Sequence, residues 1–135
     1  MFDVQQLAFE AAWDKTISKQ DREEIELAFQ KSLTKPKHEA IPFTTIWIAQ
    51  NYKEELLVTA LVHNQTNEPL RFHQTSVELW DGDKRLANHI FTIPSLHIKA
   101  NTSMPWTFIF PKESYELPDG IDNGILKLGK GVEEL

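Results

Sequence analysis

The chain has 135 residues and no cysteine. That length is typical of one domain, and the composition excludes a disulfide framework, a thiolate zinc site and a cysteine nucleophile. Its 20 Asp and Glu against 14 Lys and Arg leave a formal net charge of −6, which disfavours nucleic acid and anionic membranes, since both need basic side chains to neutralise phosphates.

No stretch approaches the roughly 20 apolar residues that span a bilayer, so no membrane insertion is expected. Met1-Phe2-Asp3-Val4 lacks a basic segment followed by an apolar one. If Met1 is the true start, the expected location is cytoplasmic. Like-charged runs are no longer than pairs, as in Glu23-Glu24 and Lys84-Arg85, so neither an acidic tail nor a basic arm stands out.

Residues 2–17 admit two readings. Val4, Leu7, Ala8, Ala11 and Ala12 recur at helical spacing, while Leu7-Ala8-Phe9 also fits a short strand. Periodicity does not arbitrate at this length. Residues 19–33 predict an amphipathic helix. Ser18 is a good N-cap, and Asp21, Glu23 and Glu24 sit near the positive end of the helix dipole. Ile25, Ala28, Phe29 and Leu33 form one apolar stripe, which is expected to pack on the protein's own sheet. Pro36 stops the helix.

After Pro36 the pattern changes to alternation. Phe43 to Ala49 reads as a strand. Glu55 to His63 reads as another, with Leu56, Val58, Ala60 and Val62 on one face and Leu57 and Leu61 on the other, so both sides are expected to be covered. Residues 64–69 are a turn cluster. Leu70 to Trp80 predicts a longer strand whose alternation stumbles near Gln74 to Ser76, the mark of a bulge. Asp81-Gly82 is a hairpin signal. Arg85 to Phe91 returns, and Pro94 is expected to end that strand. A turn at residues 100–103 leads to Met104 to Phe110, with Trp106, Phe108 and Phe110 pointing one way and Thr107 and Ile109 the other. Pro111 closes that strand. Turns are expected at residues 118–120 and 122–124, a short final strand at Ile125 to Leu128, and a loose tail over 129–135. Short strands at intervals of about 8–12 residues, parted by turn residues, predict a mainly β fold, a β-sandwich.

The residues carry no recognisable active site. The histidines His38, His63, His73, His89 and His97 form no HxH or HExxH pair. If the turn at 64–69 closes a hairpin, His63 faces Leu70 and His73 faces Ala60, on opposite faces. Asp119 to Gly124 resembles part of a calcium loop, but Ile121 and Lys130 occupy ligand positions. Glu78 with Asp81 and Asp83 makes at most a weak cation site. Glu54 and Glu55 point to opposite faces if they lie in a strand. No serine is framed as a nucleophile, and Gly129-Lys130-Gly131 lacks the loop and helix of a phosphate cradle. Asn64-Gln65-Thr66 and Asn101-Thr102-Ser103 match glycosylation acceptors but read more simply as turns. Trp13, Trp47, Trp80 and Trp106 suit a core or its rim better than a ligand platform.

Three segments occurring in order carry a resemblance: Leu7-Ala-Phe-Glu-Ala-Ala-Trp13, Leu57-Val-Thr-Ala-Leu-Val-His-Asn64 and Asn101-Thr-Ser-Met-Pro-Trp-Thr-Phe-Ile-Phe110. Together they resemble the SLAP domain of Bacillus-type Firmicutes, over roughly residues 7–111. That domain is found in duplicate in the accessory Sec system S-layer assembly protein and singly in short proteins. The motif positions here are Trp13, Asn64, Pro105, Trp106, Phe108 and Phe110. Glu10 and Ala11 replace the family's usual His-Pro pair, and His63 replaces a basic residue. The resemblance favours a first strand near residues 5–10. It brings no catalytic residue, cofactor or metal.

Residues and resemblance together lead to one domain over 1–135, with a core at about 5–128. Its expected fold is an immunoglobulin-like antiparallel β-sandwich with one amphipathic helix near the N-terminus. The expected role is a non-enzymatic protein-interaction module, and the resemblance implies accessory secretion or S-layer assembly as the process it assists. The protein partner and the oligomeric state are left open. A small-ligand or carbohydrate-binding sandwich is the alternative, and a hydrolase assembled from scattered residues the second alternative.

Overall fold

The computed structural model describes residues 5–35, 39–117 and 124–129. The expectations that rest on Val4, Pro36, His38, the turns at 118–123 and the tail beyond Gly129 lie outside these residues.

Both readings of the N-terminal segment are realised, one after the other. Strand β1 (Gln6–Leu7) comes first, then helix α1 (Ala11–Thr16). The chain therefore has a short helix beyond the one expected. Glu10 starts it: its carboxylate Oε1 accepts from the N–H groups of Ala12 (2.9 Å) and Trp13 (3.3 Å), two donors that the first turn would leave unpaired. Helix α2 (Lys19–Ser32) begins where Ser18 Oγ accepts from Asp21 N at 3.0 Å. Of its apolar stripe, Ile25 and Phe29 are buried and Ala28 is half-buried, while Leu33, at the C-cap, remains exposed.

Six further strands follow: β2 (Phe43–Gln50), β3 (Leu56–Asn64), β4 (Leu70–Asp81), β5 (Lys84–Ile98), β6 (Thr102–Phe110) and β7 (Ile125–Leu128). They form two sheets, in the orders β1-β6-β3-β2 and β5-β4-β7. All pairs are antiparallel except β1 with β6, which is parallel.

Two connections depart from the sequence reading. Residues 64–69 do not close a hairpin, because β3 pairs with β2 and β6 while β4 belongs to the other sheet. The turn is a crossover between layers. His63 therefore faces Ser103, not Leu70, and His63 and His73 stand in different sheets. The second departure is Pro94, which does not end its strand. Partner residues jump from Phe72↔Ile93 to Arg71↔His97, so Pro94 sits in a bulge with no opposite residue on β4. β5 is also an edge strand of its sheet. A missing N–H costs nothing where no ladder bond is due. The irregularity in β4 falls where alternation stumbles, with Gln74 at φ 48°. The β4–β5 hairpin closes through Gly82 and Asp83, and Gly82 takes the φ of 62° that its turn requires.

The two sheets pack on one core. Phe108 is its hub. Its ring lies 5.9 Å from Phe43 in its own sheet, and 5.6 and 5.4 Å from Phe72 and Phe91 in the other. Phe91 also meets Phe110 edge-on at 5.3 Å. Leu56, Val58, Ala60 and Val62 face this core with no exposure. Leu61 faces the other way, into a second cluster with Ile25 and Phe29. That is how β3 comes to be covered on both sides.

Candidate functional site

The join between β3 and β6 is polar where its surroundings are apolar. Buried His63 holds both ring nitrogens in short contacts, Nδ1 at 2.6 Å from Ser103 Oγ and Nε2 at 2.7 Å from Thr44 Oγ1. Gln5 Nε2 donates to Ser103 Oγ (3.1 Å) and to the Asn64 carbonyl (3.2 Å). A neutral imidazole donates from one nitrogen and accepts at the other, and the flanking hydroxyls suit either tautomer. Burial, and then the Lys35 ammonium, lower the pKa of His63 from 6.5 to about 4. The Ser-His contact has the look of a nucleophile beside a base. However, Ser103 has no exposed surface, and the far side of the ring meets a threonine hydroxyl, not a carboxylate. A cavity of about 400 Å³ borders His63, with Lys35, Glu39 and Gln65 in its lining, but Ser103 does not reach it. Nothing in the sequence pointed to this network. The available signal was a histidine in a strand whose two faces both read as covered.

Asn64, next along β3, is fully buried. Its Nδ2 reaches the carbonyls of Glu68 (2.8 Å), Ile98 (3.1 Å) and Lys99 (3.1 Å). Its Oδ1 accepts from Thr66 N and Thr66 Oγ1. Asn64 thus ties the crossover turn to the end of β5. With the side chain spent this way, Asn64-Gln65-Thr66 is a turn, as expected. Trp13 and Trp106 stack with centroids 6.2 Å apart, which fixes α1 against β6. Phe108 and Phe110 belong to the core described above.

Pro105 shapes the outer edge of β6. It lies opposite Leu61 on β3. Backbone groups in an antiparallel strand point alternately to the two sides, and proline has no N–H to give. On the outer side, Asn101 and Ser103 carbonyls accept from Gln6 N and Ala8 N, both at 3.0 Å. Residues 101, 103, 105, 107 and 109 therefore point away from β3. The next rung to β1 would need an N–H from Pro105, so the ladder stops and the chain turns into α1. The backbone groups of Thr107 and Ile109 on this edge find no partner among the described residues.

The adjoining outer face of the same sheet is partly bare. Ala49, Leu57 and Ile109 lie side by side across β2, β3 and β6, and Ile109 is 45% exposed. The next row is Trp47, Thr59 and Thr107, with the two threonine hydroxyls 2.7 Å apart. A cavity of about 360 Å³ opens above that row, walled by Trp13, Thr16, Ile17 and Asp21.

The remaining candidates are dispersed. Among the described residues, no group of three or more His, Cys, Asp or Glu is arranged to hold a metal ion. Glu54 and Glu55 lie in the turn before β3, not in a strand as expected. Lys112 Nζ donates to Glu54 Oε2 at 3.2 Å, and Asn51 Nδ2 to Glu55 Oε1 at 2.8 Å. Glu78 is engaged by Trp80 Nε1 (2.9 Å) and Arg85 (3.3 Å). Trp47 packs against the cluster of Ile25, Phe29 and Leu61, and Lys127 lies over the ring of Trp80. No helix among the described residues is long and apolar enough to cross a membrane.

Comparison with known proteins gives one match. The family model described as SLAP domain covers residues 7–124, nearly the whole chain. No curated protein and no solved structure matches.

Proposed function

The chain belongs to the SLAP domain family, and from that premise we propose that it is a non-catalytic module that binds another protein. The observation that carries this reading is the stretch of β6 at Thr107 and Ile109 whose outer edge has no partner among the described residues, beside an exposed apolar row on the same sheet. Unpaired strand groups next to apolar surface favour association with another chain. The polar groups with the look of chemistry are instead closed on themselves, as in the Thr44–His63–Ser103–Gln5 chain.

On this reading residues 1–135 act as one domain in the cytoplasm. Trp13, Asn64, Pro105, Trp106, Phe108 and Phe110 hold the scaffold, and Pro105 also ends the pairing that would otherwise cover the edge. The family link makes accessory secretion or S-layer assembly the process served, by analogy of fold.

Affinity capture of the tagged protein from its own host, followed by mass spectrometry, tests this. Recovery of accessory secretion components or S-layer precursors is the expected result. Recovery of the bait alone from cells that express both sets would overturn the reading.

A further inference from the structure

We infer that the open stretch of β6 takes up an extended segment of another polypeptide as an added strand, one that presents an apolar side chain opposite Ile109 and a lysine or arginine opposite Thr107. It rests on the protein-binding reading above and gives that reading a partner chemistry.

The edges of the other sheet are less open to addition. Tyr115 bridges to Ala87, and Glu116 N donates to the Leu86 carbonyl, so β5 is covered there; further along it is broken by the Pro94 bulge. β7, at the opposite edge of that sheet, is only four residues long, while on β2 the Thr45 hydroxyl donates to the Gly124 carbonyl at 2.6 Å. On β6, Thr107 and Ile109 each present an N–H and a C=O to the same side without a partner among the described residues. These groups are spaced as a ladder requires.

Residues directly opposite one another across a ladder project to the same face of a sheet. A partner residue opposite Ile109 would therefore extend the row of Ala49, Leu57 and Ile109, where an apolar side chain removes exposed apolar surface from water. A partner residue opposite Thr107 would enter the cavity walled by Trp13, Trp47 and Asp21. Asp21 is the charged residue in that wall. A long basic side chain suits it, with an aliphatic stem against the indoles and a cationic head at the carboxylate. Charge also separates a foreign strand from a second copy of this chain. Two copies would each bring a net charge of −6, whereas a basic strand complements it.

The test uses the full chain and a capped nine-residue peptide in which valine and lysine alternate, each separated by threonine. Titration is followed by calorimetry and by tryptophan fluorescence, since Trp13 and Trp47 line the cavity. Saturable binding is expected. It should weaken about tenfold or more with Ile109→Pro, which removes an edge N–H yet leaves the β3 ladder intact. Similar losses are expected with Asp21→Asn, with glutamate in place of lysine, and with a peptide N-methylated on its pairing edge. If Ile109→Pro lowers the urea midpoint, the N-methylated peptide against the natural chain decides instead. Absence of saturable binding, or equal binding by the N-methylated peptide, overturns the added strand. A host protein captured equally by the natural chain and by a folded Ile109→Pro variant would leave protein binding standing while removing this edge from it.

Discussion

Ser103 Oγ lies 2.6 Å from His63 Nδ1 inside the β3–β6 join. Above pH 6.5 the ring is neutral in both folded and unfolded chains, and the contact is intact. Below that, the unfolded chain binds a proton that the folded chain, with its His63 pKa lowered to about 4, refuses. Stability is therefore full above pH 6.5, declines as pH falls towards 4, and levels off below. The ceiling on the loss is about 3 kcal/mol. Urea unfolding across this window, compared with His63→Gln, checks the sign. The natural chain should lose stability relative to the variant as pH falls. Parallel profiles would show that His63 does not titrate in this way.

Asn64→Ala should be among the most damaging polar substitutions. It deprives the carbonyls of Glu68, Ile98 and Lys99 of their shared donor, and it frees the turn at Thr66. Buried acceptors left unpaired cost about 1–3 kcal/mol each, partly relieved by water. A loss of about 3 kcal/mol is expected in denaturant titration. Asn64→Asp should do no better, since a carboxylate offers no N–H to the same carbonyls. A loss under 1 kcal/mol for both would show that the crossover does not depend on this side chain.

Phe108→Ala removes the ring that touches Phe43, Phe72 and Phe91 at once, and so loosens both sheets. A loss of about 3–5 kcal/mol is expected. Phe108→Leu keeps much of the volume and should cost clearly less. Equal losses would mean that the interior does not close around this position as the ring distances imply.

The strands were legible because their alternation is local. Leu56, Val58, Ala60 and Val62 against Leu57 and Leu61 announced a strand covered twice, and α2 and the second sheet are what cover it. What alternation cannot give is the partner of each strand. Residues 64–69 read as a hairpin turn, yet the Asn64 side chain holds them as a crossover, through contacts 34 and 35 residues away along the chain. Pro94 read as a terminator because a missing N–H matters only where a bond is due, and bulges are set by tertiary pairing. The same limit hid the candidate edge. Pro105 was visible as a motif residue, but its effect on β1 depends on which strand lies alongside. The His63 network brings together Gln5, Thr44 and Ser103 from three separate strands or their flanks, so no short window contains it.

Glu10 provides a local test of the N-terminal segment. Its carboxylate is the cap of a helix of only six residues, too short to persist without tertiary support. Glu10→Ala leaves the N–H groups of Ala12 and Trp13 without that acceptor. A loss of about 1 kcal/mol is expected. The effect should reach β6, because α1 carries Trp13 onto Trp106 at 6.2 Å. Fraying of the helix would separate the indoles, so tryptophan emission should shift to the red at temperatures where the rest of the chain is still folded. Glu10→Ser, a good N-cap by a shorter side chain, should restore most of both quantities. If Glu10→Ala leaves emission and stability unchanged, the stack of Trp13 on Trp106 holds α1 in place on its own. The cap would then be a consequence of that docking and not a cause.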